Sequence, residues 1–101
     1  MTPQETEAQV MDVVKTVLRD ALEVPPEKIA PEARIIDDLG AESIDLLDIR
    51  FRLERSLGIR ITNEDMVEAF RGTGSAEEFR KMFTVNAMCA YLTARLAATD
   101  E

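Results

Sequence analysis

The chain has no histidine, no tryptophan and a single cysteine among its 101 residues. Without histidine it lacks the side chain most often used as a general base near neutral pH and most often found as a metal ligand. One cysteine, Cys89, can neither close an internal disulfide nor build a zinc site. It falls on an apolar helical stripe, so a buried thiol is expected there rather than a nucleophile. Aromatics are scarce, one tyrosine and four phenylalanines. No uninterrupted apolar run is long enough to cross a bilayer, and no basic, apolar leader opens the chain, so the cytoplasm is the expected location. There is no phosphate-binding glycine loop and no hydrolase elbow. Enzymatic chemistry by this chain alone is therefore not expected.

Positive charge is also in short supply. Twelve Lys and Arg stand against twenty Asp and Glu, a formal net charge of −8. This argues against nucleic acid, whose binding depends on clustered cations, and favours partners with basic surfaces. The excess is confined to the first half: residues 1–48 hold twelve acids and four bases, whereas residues 49–101 hold eight of each. The length fits one domain, taken as 1–101, with a modest core.

What is present is mostly helical punctuation. Thr2-Pro3-Gln4-Glu5 reads as a capping box. Val10, Val13, Val14, Val17, Leu18, Ala21 and Leu22 then follow three-four spacing until Val24-Pro25-Pro26 stops the helix. Residues 25–42 form a long connection whose anchors are Ile29, Ile35, Ile36 and Leu39. A second helix is predicted over about 43–57, ending at Gly58, with Ile59 and Ile61 as a short strand. Thr62 and Asp65 open a short helix carrying Met66, Val67 and Phe70, and Gly72-Thr73-Gly74 breaks it. Ser75 to Glu78 is a further capping box before the apolar face of Phe79, Met82 and Phe83. Thr84 caps a last helix with the stripe Val85, Met88, Cys89, Leu92 and Leu96. The fold class expected is all-α, a small antiparallel bundle of three main helices plus short extra ones.

The chain is organised around Asp37-Asp38-Leu39-Gly40-Ala41-Glu42-Ser43-Ile44-Asp45-Leu46-Leu47. Gly40 permits a turn closed to other residues. Ser43 falls at the helix start, where it either caps free N–H groups or offers its hydroxyl to solvent beside the positive end of the dipole. The helix that follows carries two apolar stripes. Leu46, Ile49, Leu53 and Leu57 face a core, while Ile44, Leu47 and Phe51 form a second line that implies a partner or a bound apolar chain. Arg50 and Glu54 lie between them, and Asp48 and Arg52 are spaced for a surface pair.

These residues resemble the attachment motif of acyl carrier proteins, Asp-Leu-Gly-x-Asp-Ser-Leu, with Glu42 where the family usually has Asp. The likeness extends to the Leu57-Gly58-Ile59-Arg60-Ile61 exit. It implies that Ser43 carries 4′-phosphopantetheine, placed there by a phosphopantetheinyl transferase, and that the arm holds acyl groups as thioesters. It implies docking of acyl-loading and acyltransferase or synthase enzymes on the following helix, through Glu42, Ile44, Asp45, Leu47, Asp48, Arg50 and Phe51, by a monomer that spans no membrane. The long first connection is also a feature of that family. Residues 71–83 look like an addition to the ordinary carrier. With Asp48-Ile49-x-Phe51 and Asn86-Ala87-Met88-Cys89-Ala90, they resemble bacterial carriers dedicated to very-long-chain hydroxy acids of lipid A. The same motif also suits a carrier of amino acids for a synthetase, and an unmodified helical interaction module is a third possibility. The family's second helix is strongly acidic; here Arg50, Arg52 and Arg55 interrupt it.

Overall fold

Why the chain breaks where it does is clear from a computed structural model, which describes residues 3–62 and 75–99. Helix α1 spans Pro3–Leu22, α2 Ser43–Leu57, α3 Ala76–Met82 and α4 Val85–Thr99, and a turn of 3-10 helix covers Pro26–Lys28. The fold among the described residues is all-helical, as expected. Thr2, Asp65, the helix carrying Met66, Val67 and Phe70, and the break at 72–74 lie outside the described residues.

The β-branched face of α1 does not favour a helix by itself, and burial stabilises it. Val10, Val14, Val17 and Leu18 are buried at the centre of the core, with α2 and α4 packed against α1 on either side. The helix ends at Leu22, one turn before the prolines. Glu23 takes a left-handed conformation, φ 56°, and its N–H donates to Arg19 O at 2.8 Å. The stop is thus a left-handed exit made by a glutamate, with Pro25 and Pro26 preventing any continuation.

The connection from 23 to 42 is held rather than loose. Ile29, Ile35 and Leu39 are buried, and Ile36 is half-buried. Its backbone is stitched to the junction between α3 and α4. Ile35 N–H donates to Phe83 O at 3.0 Å, Val85 N–H to Ala33 O at 3.0 Å, and Asn86 N–H to Pro31 O at 2.9 Å. Backbone groups that a long loop would leave unsatisfied find partners this way.

Several expectations need correction. Ile59 and Ile61 are buried but form no strand; no strand occurs among the described residues, only an isolated bridge between Arg34 and Thr84. Two apolar residues flanking one arginine match a strand pattern, yet here no neighbouring strand completes a ladder. Within the core stripe of α2, Ile49 and Leu53 are buried while Leu46 and Leu57 are half-buried. Met82 is 54% exposed, whereas Phe83, at the end of the same helix, is 1% exposed. The caps follow the sequence more closely. Ser75 Oγ accepts from Glu78 N–H at 3.1 Å, and Thr84 Oγ1 from Ala87 N–H at 3.1 Å. Gly58 closes α2 at φ 68°. Cys89 is buried, its sulfur 3.6 Å from Met11 Sδ, and burial pushes its thiol up to about 11.

Candidate functional site

The approach to Ser43 is built by a knot of short-range hydrogen bonds. Arg34 O accepts from both Asp38 N–H, at 2.9 Å, and Leu39 N–H, at 3.0 Å. Gly40 N–H then donates to Ile36 O, and Ala41 N–H to Ile35 O, each at 3.1 Å. Gly40 sits at φ 77° with open space where a side chain would project. Backbone conformation alone therefore demands glycine there. The flanking Leu39 and Ala41 are buried, which fixes the point at which α2 begins.

Asp38 braces the knot from outside. Its carboxylate accepts from Arg34 N–H at 2.8 Å, from Arg34 Nε at 3.1 Å and from Arg34 Nη2 at 3.1 Å. The side-chain hydrogen bonds, with the backbone one, hold the Asp38 carboxyl below its usual range, and the side-chain hydrogen bonds and the charge of Asp38 raise the Arg34 guanidinium above its own. Asp37, alongside, is 3.8 Å from Arg34 Nη1 and 3.5 Å from Arg80 Nε of α3.

At the helix start the two roles left open for Ser43 are separated. The N-cap is Glu42, and Ser43 is the first residue of α2. Asp45 reaches back so that its Oδ2 accepts from Glu42 N–H at 2.9 Å, and Leu46 N–H donates to Glu42 O at 2.9 Å. Glu42 and Asp45 thus do the capping, which gives the Glu-for-Asp departure before the serine a structural role. Ser43 is exposed, beside the positive end of a 15-residue helix.

Along α2 the second apolar stripe faces outward. Ile44 is 78% exposed, Leu47 49% and Phe51 50%. Asp48 is half-buried and pairs with Arg52, Oδ2 to Nε 3.0 Å. Arg50 is half-buried, with its guanidinium carbon 5.3 Å from the centre of the Phe51 ring. Glu54, which spacing offers to Arg50, instead has its Oε2 accepting from Ile61 N–H at 2.6 Å. Nothing in the sequence pattern signals that bond, because the two residues meet only after the chain reverses at Gly58.

Behind the helix lies an apolar cavity of about 60 Å³. Among the described residues, Leu46, Ile49, Arg50 and Leu53 of α2 line one side, Phe79 and Phe83 another, and Ile61 with Met88, Tyr91 and Leu92 of α4 a third. The two phenylalanine rings stack with centres 5.1 Å apart. Their spacing of four residues marks them as one helix face, but not as the wall of a cavity. Among the described residues no group of acidic, cysteine or histidine side chains is arranged to hold a metal ion, and no helix is long and apolar enough to cross a membrane.

The sequence pattern of the phosphopantetheine attachment site matches residues 12–79 of this chain. The chain belongs to the acyl carrier protein family. Similar proteins include the acyl carrier protein AcpXL of Mesorhizobium japonicum, 33% identical over 86% of this chain and 91% of its own length. The AcpXL of Rhizobium meliloti is 36% identical over 86% and 90%. The acyl carrier protein of Thermosynechococcus vestitus is 36% identical over 58% of this chain and 73% of its own. Such proteins are carriers rather than enzymes, and their cofactor is a covalently attached 4′-phosphopantetheine. The carrier's own residues fit such a group. An exposed serine stands at a helix N-terminus able to accommodate a phosphodiester anion.

Proposed function

We propose that Ser43 is the residue that bears 4′-phosphopantetheine, and that the chain is a single carrier domain over 1–101 delivering long acyl groups in lipid biosynthesis. The observation that carries this reading is the division of labour at the start of α2. Glu42 and Asp45 cap the helix, so the exposed Ser43 is not required as its cap. On attachment, the Ser43 Oγ–phosphorus bond forms as the pyrophosphate bond of coenzyme A breaks; adenosine bisphosphate leaves, and the serine proton passes to the transferase or solvent. The arm supplies a terminal thiol that holds acyl groups as thioesters. The N-terminal dipole of α2 offsets the repulsion that Glu42 and Asp45 exert on the new phosphodiester.

The outward face of α2 is the docking surface in this proposal. Ile44, Leu47 and Phe51 supply apolar contact, ringed by Glu42, Asp45, Asp48 and Arg50. Its partners are a phosphopantetheinyl transferase and the enzymes that load, extend or transfer the acyl group. Similarity to the AcpXL proteins over most of the chain favours the specialised carriers of very long chains used for lipid A over a general fatty-acid carrier.

The test is intact mass after incubation with coenzyme A and a broad-specificity transferase. Wild type gains one phosphopantetheine, and Ser43→Ala gains none while its helical circular dichroism is unchanged. A modified Ser43→Ala protein, or an arm on another residue, overturns the assignment.

A further inference from the structure

The outward face of α2 carries its charges in order. Helical spacing of about 100° per residue puts Asp45, Asp48, Arg52 and Arg55 on one flank of the stripe formed by Ile44, Leu47 and Phe51. Both acids fall in the N-terminal half of the helix and both bases in the C-terminal half. Asp48 and Arg52 already pair within the copy at 3.0 Å, but with side chains 46% and 44% exposed. Such a pair is worth little and is readily exchanged. Arg55 is exposed and pairs with no acid among the described residues. On the other flank the charges are engaged within the copy, Arg50 against the Phe51 ring and Glu54 with the Ile61 N–H.

A face of this kind is its own complement. Two copies of α2 laid antiparallel across a twofold axis bring the same flank of each together with its order reversed. With the crossing midway between Asp48 and Arg52, these two residues face their counterparts in the other copy, and Asp45 faces Arg55. The same crossing makes Leu47 and Phe51 of the two copies alternate along the seam, so the exposed apolar stripe is covered by another of its own kind. A parallel pair would instead set the acidic ends side by side. The two Arg50 side chains, near the axis on the other flank, oppose the pairing and keep it weak.

We propose that two copies of this chain pair through the outward face of α2, antiparallel about a twofold axis, as a weak dimer that covers Leu47 and Phe51. The area available sets the strength. A helix of 15 residues is about 22 Å long and 10–12 Å across, so half its surface offers on the order of 400 Å² per copy. Stable complexes bury roughly 800 Å² per partner. The dimer therefore exchanges freely and forms at high protein concentration, and the monomer expected from the family resemblance is the dilute form. The pairing stands on the chemistry of this face alone. Its consequence, that each copy withholds the face from partner enzymes until one of them displaces the other copy, rests on the docking reading proposed above.

The experiment is sedimentation equilibrium of the unmodified protein from about 10 μM to about 1 mM, a range that brackets weak pairing. The weight-average mass of wild type rises with concentration from that of one copy towards that of two. Leu47→Asp, at an exposed position and with its folding checked by circular dichroism, stays at one copy throughout. The Arg52→Glu, Arg55→Glu double variant does the same. Lys15→Glu with Arg19→Glu, at exposed positions of α1, changes the net charge by the same amount and keeps the dimer. A single-copy mass for wild type at every concentration overturns the proposal. So does a dimer that survives in Leu47→Asp, which places the interface elsewhere, or one lost equally in the α1 control, which reduces the effect to bulk charge. No prosthetic group is needed for the measurement, so its failure leaves the carrier reading intact.

Discussion

The Glu54 carboxylate distinguishes a surface charge from a structural clamp, and replacing it measures the difference. If Glu54 were only a helix-surface partner of Arg50, Glu54→Ala would cost about 0.2–0.5 kcal/mol. Alanine's better helix propensity would offset much of that. In the structure Glu54 Oε2 accepts from Ile61 N–H at 2.6 Å, and Ile61 is 3% exposed. Removing the carboxylate takes away a hydrogen bond to a charged group, worth about 1.5–3 kcal/mol, and leaves the amide of a buried residue to find another partner. After the gain from alanine, a net loss of about 1–2.5 kcal/mol is expected. With a urea dependence of roughly 1–2 kcal/mol per molar for a chain of this size, the unfolding midpoint falls by about 1 M. Glu54→Gln, which keeps an acceptor without the charge, falls about half as far. Equilibrium urea unfolding of the unmodified protein followed by circular dichroism reads all three. A midpoint for Glu54→Ala within experimental error of wild type refutes the clamp.

Three further outcomes are expected. Asp38 has its folded pKa held below the ordinary carboxylate value of about 4, so the unfolded chain binds the proton more readily. Its stabilisation is complete above the ordinary value and lost as pH falls through the lower folded one; Asp38→Asn flattens that acid limb in a pH series of thermal midpoints, and an unaltered slope refutes the brace. Glu23 occupies a left-handed position at φ 56°, so Glu23→Gly should raise stability by about 0.5–1 kcal/mol after glycine's entropy cost, read by chemical denaturation; a destabilised variant would place a needed contact on the glutamate. If the outward face of α2 docks partners as proposed, Arg50 on that face and Arg52 on the neighbouring polar arc should oppose enzymes built for a uniformly acidic helix, since like charges meeting in an interface cost several kcal/mol. Holo wild type should be a poor substrate for a general fatty-acid synthase set and the Arg50→Gln, Arg52→Gln double variant a better one, most clearly at low salt; equal turnover makes the arginines solvated surface.

What the sequence by itself determined is short in range. The span of α2, its stop at Gly58, the turn at Gly40, the caps at Ser75 and Thr84 and the place of Ser43 at a helix start all depend on residues within a few positions of one another. Local backbone sterics and hydrogen bonding dictate such features wherever the segment sits. The outward stripe of Ile44, Leu47 and Phe51 was legible too, because helical periodicity separates faces even when it does not say what covers them. Tertiary structure decided whatever depends on a distant partner. Asp45 reaching back to Glu42 lies at the boundary: its spacing suits a box, but which side chain caps depends on where the Gly40 knot delivers the helix. Ile59 and Ile61 became buried loop residues because no strand among the described residues pairs with them and Glu54 takes the Ile61 amide. Met82 turned outward while Phe83 went inward because the Phe83 carbonyl is held by Ile35, nearly fifty residues earlier in the chain. The volume behind α2 belongs to this second class. A cavity is the gap left when helices from separate parts of the chain meet, and no periodicity within one helix encodes its size.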